Sequence, residues 1–532
     1  MPQATGRTAA RHTTWLASTY VVLIALIISS TGWIALREGS LRYLKPFLQD
    51  VDTSQLADQA QALREAPDLA RITAYSPELG TLSRLTSPER FAQSRLVDHG
   101  VYLAQMPRLN QVLLTAHIFT GVACVLLGGW QFWPTLRQRQ MRLHRLIGGL
   151  YLLTVPPSVI LSFAYMAVTA PHHLYTHLTA YIALWLVGVV ALISVGMAVW
   201  SLKQRRIHEH MGWMALSFAC LLVAPILRLN WVALAWAFPQ IDQETLSLVT
   251  MGLMLPECLM IGYGLILANR PPARKPARKP VRTPAPTSAR APRHRPAGAL
   301  ATWGARLFTR AQPLAYLGVA AVAATLFTHH VGGLGVASAQ AAAALVPAGL
   351  LAREAAVMAA HPWLNAAFAL STSAALALAV GAFARLMRPA PPARSPWVAA
   401  TGLLSLLAGA CALALGWAIG LAPDRAWSAG GTLYTVPGVL TMGFALHLLR
   451  AWQRKQHALA KEALVFLMCL LPFAALYHLN LSVLQWVLQW APWPSDYLAQ
   501  HQGHILPMGA SLVTLFIGML HAVVGQANRE PG

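Results

Sequence analysis

The chain has 532 residues, of which 56% are hydrophobic and only 11% charged, and its formal net charge is +22. A soluble surface of this size carries about a quarter charged residues, so an ordinary water-soluble globular protein is excluded. The basic excess sits in short stretches between apolar runs, the pattern of membrane topology rather than of nucleic-acid binding.

Apolar runs of about twenty residues, enough to cross a hydrocarbon core at about 1.5 Å per residue, recur without period-two alternation and therefore predict helices. The first, Trp15 to Leu36, follows Arg7, Arg11 and His12 as the core of a signal peptide would; its length favours an uncleaved anchor. Residues 37 to 111 balance acids against bases and space their apolar residues as short amphipathic helices do, predicting a small helical cap outside the membrane. Spans are then expected near 112 to 133, 146 to 168, 177 to 202, 211 to 236 and 246 to 268, which makes 112 to 268 a five-helix membrane domain. Residues 269 to 311 are rich in Arg, Lys and Pro, hold no acid, and read as a disordered cytoplasmic linker that rests on anionic lipid. Six further spans, near 313 to 331, 364 to 386, 397 to 420, 430 to 450, 463 to 487 and 504 to 526, fill a second membrane repeat over 312 to 532.

The expected fold is an all-α polytopic membrane protein of about twelve transmembrane helices in two parallel six-helix repeats. Arg137, Arg139, Arg142 and Arg145 fill one loop, Lys203, Arg205 and Arg206 the next on the same side, and Arg450, Arg454 and Lys455 a later one, while 169 to 176, 237 to 245 and 488 to 503 carry almost no base. The positive-inside rule then places both termini in the cytoplasm and the protein in the cell inner membrane. Lys203 to Trp231 aligns with Gln453 to Leu481, sharing a basic loop, a mid-span cysteine, a following proline and a closing Leu-Asn. Duplication explains this better than chance.

The five cysteines all fall inside apolar runs, and no C-x-x-C occurs, which argues against disulfides, a zinc knuckle and attached c-type haem. Histidines punctuate the first half: His117 in span two, His144 before span three, His177 opening span four, and His208 with His210 before span five. Antiparallel spans put His117 and His177 near one face and His144 with His208 or His210 near the other. Three share a glycine one turn on, at Gly121, Gly148 and Gly212, where a flat macrocycle has room against the backbone. Two b-type haems, each held by two histidines, would use this layout. Packing or headgroup contact is the plainer reading of the same residues, with proton or metal handling a third. In the second half the corresponding positions, around Phe368, Val398 and Ala429, are apolar or small, so that half reads as a degenerate scaffold. Arg228 and Glu257, on spans five and six, are placed to meet inside the protein as a structural pair or as a clamp for a propionate, a quinone or an anionic substrate. Tryptophans near span ends, Trp130, Trp133, Trp236 and Trp486 among them, form an interfacial belt.

Residues 116 to 153, with His117, Gly128, Gln131, Phe132, His144, Arg145, Gly148 and Tyr151, resemble the bacterial integral-membrane family called domain of unknown function 2306. The resemblance covers about 112 to 268 and implies no activity. The one-histidine-per-helix layout is similar to the four-helix core of the cytochrome b561 group, which implies pairing of His117 with His177 and of His144 with His208. His177 departs from that pattern, with Tyr181 where a glycine is expected, and no substrate motif of the group is present.

Three functions follow as expectations: electron transfer across the membrane through haem b, with a quinone or another redox partner; a permease for a small or lipid-like substrate; and an assembly factor for another membrane complex. No G-x-x-x-x-G-K-[ST] is present, so transport would not be powered by ATP bound to this chain.

Overall fold

The computed structural model describes residues 54 to 268 and 299 to 490, with interruptions of which 333 to 347 and 421 to 430 are the longest, and isolated positions before residue 45. Every regular element among the described residues is helical. The expected spans near 14 to 36 and 504 to 526 lie outside them, apart from isolated positions in the first.

Within the segment expected to form a cap lie five short helices, referred to below as the cap: α1 Ser54–Glu65, α2 Leu69–Tyr75, α3 Pro77–Leu85, α4 Pro88–Ala92 and α5 Arg95–Gln105. Leu63, Ile72, Leu82, Ala92 and Val97 close its small core. Six helices follow: α6 Arg108–Gln131, α7 Met141–Val168, α8 His177–Lys203, α9 Ile207–Leu221, α10 Val223–Ala237 and α11 Gln243–Ala268. Neighbour packs on neighbour from α6 to α9, and α9 returns to α6, closing a four-helix ring with α11 alongside α8, α9 and α10. The cap rests on α10 through α3 and on α11 through α5.

The second half holds α12 Ala299–His330, α13 Ala348–Ala360, α14 Pro362–Leu386, α15 Pro396–Ile419, α16 Gly431–Gln453, α17 His457–Leu470 and α18 Phe473–Trp490. Helices α14, α15, α16 and α17 close a second ring in the same order, with α12 packed on α14 and α18. Helix α12 starts at Ala299, inside the stretch expected to be a linker, because Ala and Leu there favour helix where the Pro-rich run ends.

Among the described residues, seven helical segments are long and apolar enough to cross a membrane, α17 and the start of α18 counting as one, and eight if the bent pair α9 and α10 counts as one span. Their outward faces agree: Leu146, Leu153 and Ile160 form an exposed apolar stripe along α7, and Leu370, Leu403 and Leu407 do the same on the second ring. Such surface is compatible with lipid and not with water. Helices α11 and α16 occupy two further expected span positions.

The span expected over 211 to 236 is broken, with α9 and α10 meeting at 56°. Pro225, in the first turn of α10, lacks an N–H, and its ring would clash with the Leu221 carbonyl of a continuous helix. Pro472 sits at the corresponding joint between α17 and α18, but there the chain passes as one span, His457–Val483, without the sharp bend of the first half. The reversing turns before α9 and α17 match. Arg205 and Lys455, which the sequence alignment pairs, are the two non-glycine residues with left-handed φ among the described residues, at 56° and 55°. Each closes a helix end with the same bonds, Arg206 N–H to Ser201 O and Gln456 N–H to Ala451 O. Between the halves, the Tyr263 hydroxyl on α11 donates to Glu462 Oε2 on α17 at 2.9 Å.

Candidate functional site

His144, His177, His208 and His210 occupy helix beginnings as their spacing predicted, whereas His117 lies more than two turns inside α6, which starts earlier, at Arg108. His117 on α6 reaches the Ser158 carbonyl of α7 through Nδ1 at 2.8 Å. His210 on α9 reaches the Ala198 carbonyl of α8 at 3.0 Å. A carbonyl only accepts, so both rings carry their proton on Nδ1 and keep Nε2 bare. His208 is exposed, which resolves the expected ambiguity between the two in favour of His210 as the inward residue. His177 opens α8, and His144 is half-buried in the first turn of α7.

The glycine slots are another matter. A Cβ at Gly148 would meet Gln131 Oε1 at 3.0 Å, and one at Gly121 would meet Ser158 Oγ at 3.7 Å. Gly128 abuts Phe218 and Tyr151, and the Tyr151 hydroxyl bridges the ring to Ser217 Oγ at 2.9 Å. Aromatic side chains therefore fill the middle of the first ring. Two imidazoles are prepared as ligands are, but the residues as placed do not fit a macrocycle.

Arg228 and Glu257 lie on α10 and α11, which pack together. Glu257 Oε2 accepts from Asn230 Nδ2 at 2.6 Å, and the Arg228 guanidinium donates to the Ala224 carbonyl one turn back at 3.1 Å. Asn230 is thus the member of this group that sequence reasoning missed. It is the Asn of the Leu-Asn repeated at the end of the two aligned segments.

The densest polar cluster is in the other half. His329 and His330 end α12, Glu354 sits on α13, Asn365 starts α14, Tyr434 starts α16, and Tyr477 with His478 follows the α17/α18 break. All are buried, with Glu354 only 6% and His478 8% exposed. Glu354 Oε1 accepts from the Tyr434 hydroxyl at 2.6 Å. The same oxygen lies 3.4 Å from His329 Nε2 and 3.6 Å from His478 Nε2, so these three side chains form a potential ligand set for a metal ion. The His329 and His478 rings face each other with centroids 3.4 Å apart, tilted by 31°. Tyr434 also bridges to His478 Nε2 at 3.2 Å.

Asn365 fixes the state of His330. Its amide nitrogen donates to the Met358 and His361 carbonyls at 3.3 and 2.9 Å, so its Oδ1 must accept from His330 Nδ1, 3.0 Å away. His330 Nε2 is therefore unprotonated, and it finds no hydrogen-bond partner among the described residues; the Tyr477 hydroxyl is in the same position. Below Tyr434, at the level of the α17/α18 break, a cavity of about 20 Å³ is lined by Phe368, Thr372, Pro437, Gly438 and Thr441, room for a single water.

Residues 114–263 match the family described as predicted membrane protein (DUF2306). The matched stretch runs from α6 into α11, the first ring and its flanking helices, in agreement with the resemblance read from His117 to Tyr151. No curated protein and no solved structure matches the chain, so the likeness to the cytochrome b561 group gains no support from either comparison. The buried His and Glu cluster lies wholly outside the matched residues.

Proposed function

We propose that the chain is a cytoplasmic-membrane permease of twelve spans in two parallel six-helix halves, with both termini in the cytoplasm and its working site in the second half. The observation that carries this reading is the position of the cluster around Glu354: ionisable side chains buried among spans, directly past a proline joint in one of them. Intramembrane charge is costly and is retained mainly where it acts, and interrupted helices are how secondary transporters expose polar groups to a substrate. The matched turns at Arg205 and Lys455, and the joints at Pro225 and Pro472, support descent of the halves from one unit. Positive-inside orientation then sets the end of α12 and the starts of α14 and α16, hence the cluster, at the outer side.

The test is access. Thr441→Cys and Thr372→Cys, made with the five native cysteines replaced, place a thiol on the cavity below Tyr434. A permease predicts that a membrane-impermeant maleimide added outside reacts with one or both in intact cells. Complete protection from either side of the membrane contradicts it.

A second reading has one observation in its favour. The Nδ1 anchors of His117 and His210 leave each Nε2 bare, as ligation of haem b by the first ring would need, although the side chains that now fill that ring would have to move aside. Reduced-minus-oxidised absorption of the purified protein decides it, with b-type bands that vanish in His117→Ala as the supporting result and a featureless spectrum as the refuting one.

A further inference from the structure

We propose that His329, Glu354 and His478 form a binding site for a divalent transition metal of the zinc class, with Nε2, Oε1 and Nε2 as donors. The proposal rests on the same cluster as the permease reading but requires no transport.

Distance is the first argument. Charge-assisted hydrogen bonds to a carboxylate run at about 2.7–2.9 Å, and the two imidazole nitrogens stand off Glu354 Oε1 at 3.4 and 3.6 Å. Those separations are long for hydrogen bonds. They match the edge of a tetrahedron whose centre is about 2.1 Å from each corner, about 3.4 Å, which is the ligand spacing around zinc. All three donor atoms lie within 4.8 Å of one another. Seating an ion between them spreads the two imidazoles, whose centroids are now 3.4 Å apart.

Charge is the second argument. A buried carboxylate between neutral imidazoles leaves one uncompensated negative charge in a low-dielectric setting, a state that is strongly disfavoured. A proton on one imidazole would neutralise the carboxylate but would occupy one of the three donor lone pairs, and a second imidazolium stacked this closely would be repelled. A single divalent ion uses the donor lone pairs of all three side chains, and its remaining +1 charge is met by an anionic fourth ligand such as hydroxide.

The surroundings form the third argument. Ligating groups are usually oriented by outer hydrogen bonds. Tyr434 supplies such a bond to Glu354, and Asn365 holds the neighbouring His330 with its Nε2 bare inside the cluster. The donor types select the ion. Two imidazoles and a carboxylate suit Zn²⁺, Co²⁺ or Ni²⁺; Ca²⁺ needs six or more oxygens, and soft ions prefer thiolates, of which this site has none. Three protein donors leave a fourth position open, as in metal sites that exchange a ligand.

Detergent-purified full-length protein, stripped with chelator, is dialysed separately against Zn²⁺ and Co²⁺, and bound metal is counted. One ion per chain is expected. Glu354→Gln and His478→Ala should abolish stoichiometric binding, Tyr434→Phe should weaken it about tenfold or more, and His144→Ala should leave it unchanged. Because ligand variants can misfold, X-ray absorption of the wild-type zinc complex provides an independent measurement, with a shell of imidazole nitrogen and oxygen expected. No stoichiometric binding, binding untouched by both ligand variants, or a sulfur-dominated shell would overturn the proposal. If metal binds at this shell while the Thr441→Cys and Thr372→Cys thiols remain protected, the permease reading fails and the metal site stands. Labelling of either thiol without stoichiometric metal binding overturns the metal site and leaves the permease reading intact.

Discussion

The first ring, α6 to α9, and the second, α14 to α17, share helix order, a left-handed basic residue in the reversing turn and a proline just past the last ring helix, yet they are filled differently. In the first, glycines face side chains: Gly128 abuts Phe218 and Tyr151, and Gly148 abuts Gln131. In the second, Gly381 and Gly402 also face side chains, but Gly409, Gly416 and Gly438 come up against backbone as well. A Cβ at Gly409 would come within 2.9 Å of the Gly438 carbonyl, and one at Gly438 within 3.0 Å of the Gly409 carbonyl. Close approach through small residues is the main packing device in lipid, where burial of apolar surface drives little association. Bulky aromatics thus close the first ring by filling it, while contracted helices close the second and leave its α14 and α16 beginnings to polar residues. The frame is shared, but only the second filling gathers ionisable groups from several helices.

Overfilling tests this contrast most strongly. Gly409→Leu or Gly438→Leu should destabilise the second ring by about 3 kcal/mol, at the upper end for overpacking, whereas Gly443→Leu on the same helix as Gly438, with open space at its Cβ position, should leave the Tm in detergent unchanged. Asn365→Ala removes the amide that orders His330 and leaves a buried ring proton unpaired, for a loss of about 2 kcal/mol, read in the same thermal scan. Tyr151→Phe in the first ring deletes only the bond to Ser217, and a loss of about 1 kcal/mol is expected. Arg205→Gly and Lys455→Gly relieve left-handed strain, so each should gain about 1 kcal/mol, and by similar amounts if the two turns are equivalent. A large difference between those two gains would break the comparison at its best-matched point.

A pH-dependent effect is expected in the cap. His99 on α5 donates from Nδ1 to the His173 carbonyl at 2.8 Å, and Tyr102 stacks on the His173 ring at 4.1 Å. Burial pushes the His99 imidazole down from its ordinary 6.5 to about 4. The folded cap therefore disfavours the protonated ring; its stability is complete above pH 6.5 and falls as pH drops from there towards 4. Limited proteolysis between residues 95 and 176 should accelerate over that window, and a pH-independent rate would remove His99 from the account.

The membrane helices were legible because an apolar run of span length has few alternatives in lipid, and His144 and His210 were legible because they recur at helix beginnings, while His117 proved to lie inside a helix that starts at Arg108. Spacing does not reveal what a ring nitrogen touches, however, so the filling of the Gly148 slot by Gln131 could not be foreseen. The second-half cluster was missed for a different reason. Glu354 lies on a thirteen-residue helix too short to be read as a span, and its partner His478 is distant in sequence. The available signals were the His329-His330 pair closing an apolar run, a lone acid in the alanine-rich stretch around Glu354, and the alignment of His478 with Arg228.

The central claim is that Glu354 and His478 work as one buried unit, and a double-mutant cycle tests it most directly. Thermal or denaturant unfolding of wild type, Glu354→Gln, His478→Ala and the double variant should give a coupling of about 1–3 kcal/mol. Additivity to within about 0.5 kcal/mol would show that the two residues do not share a site and would contradict the account.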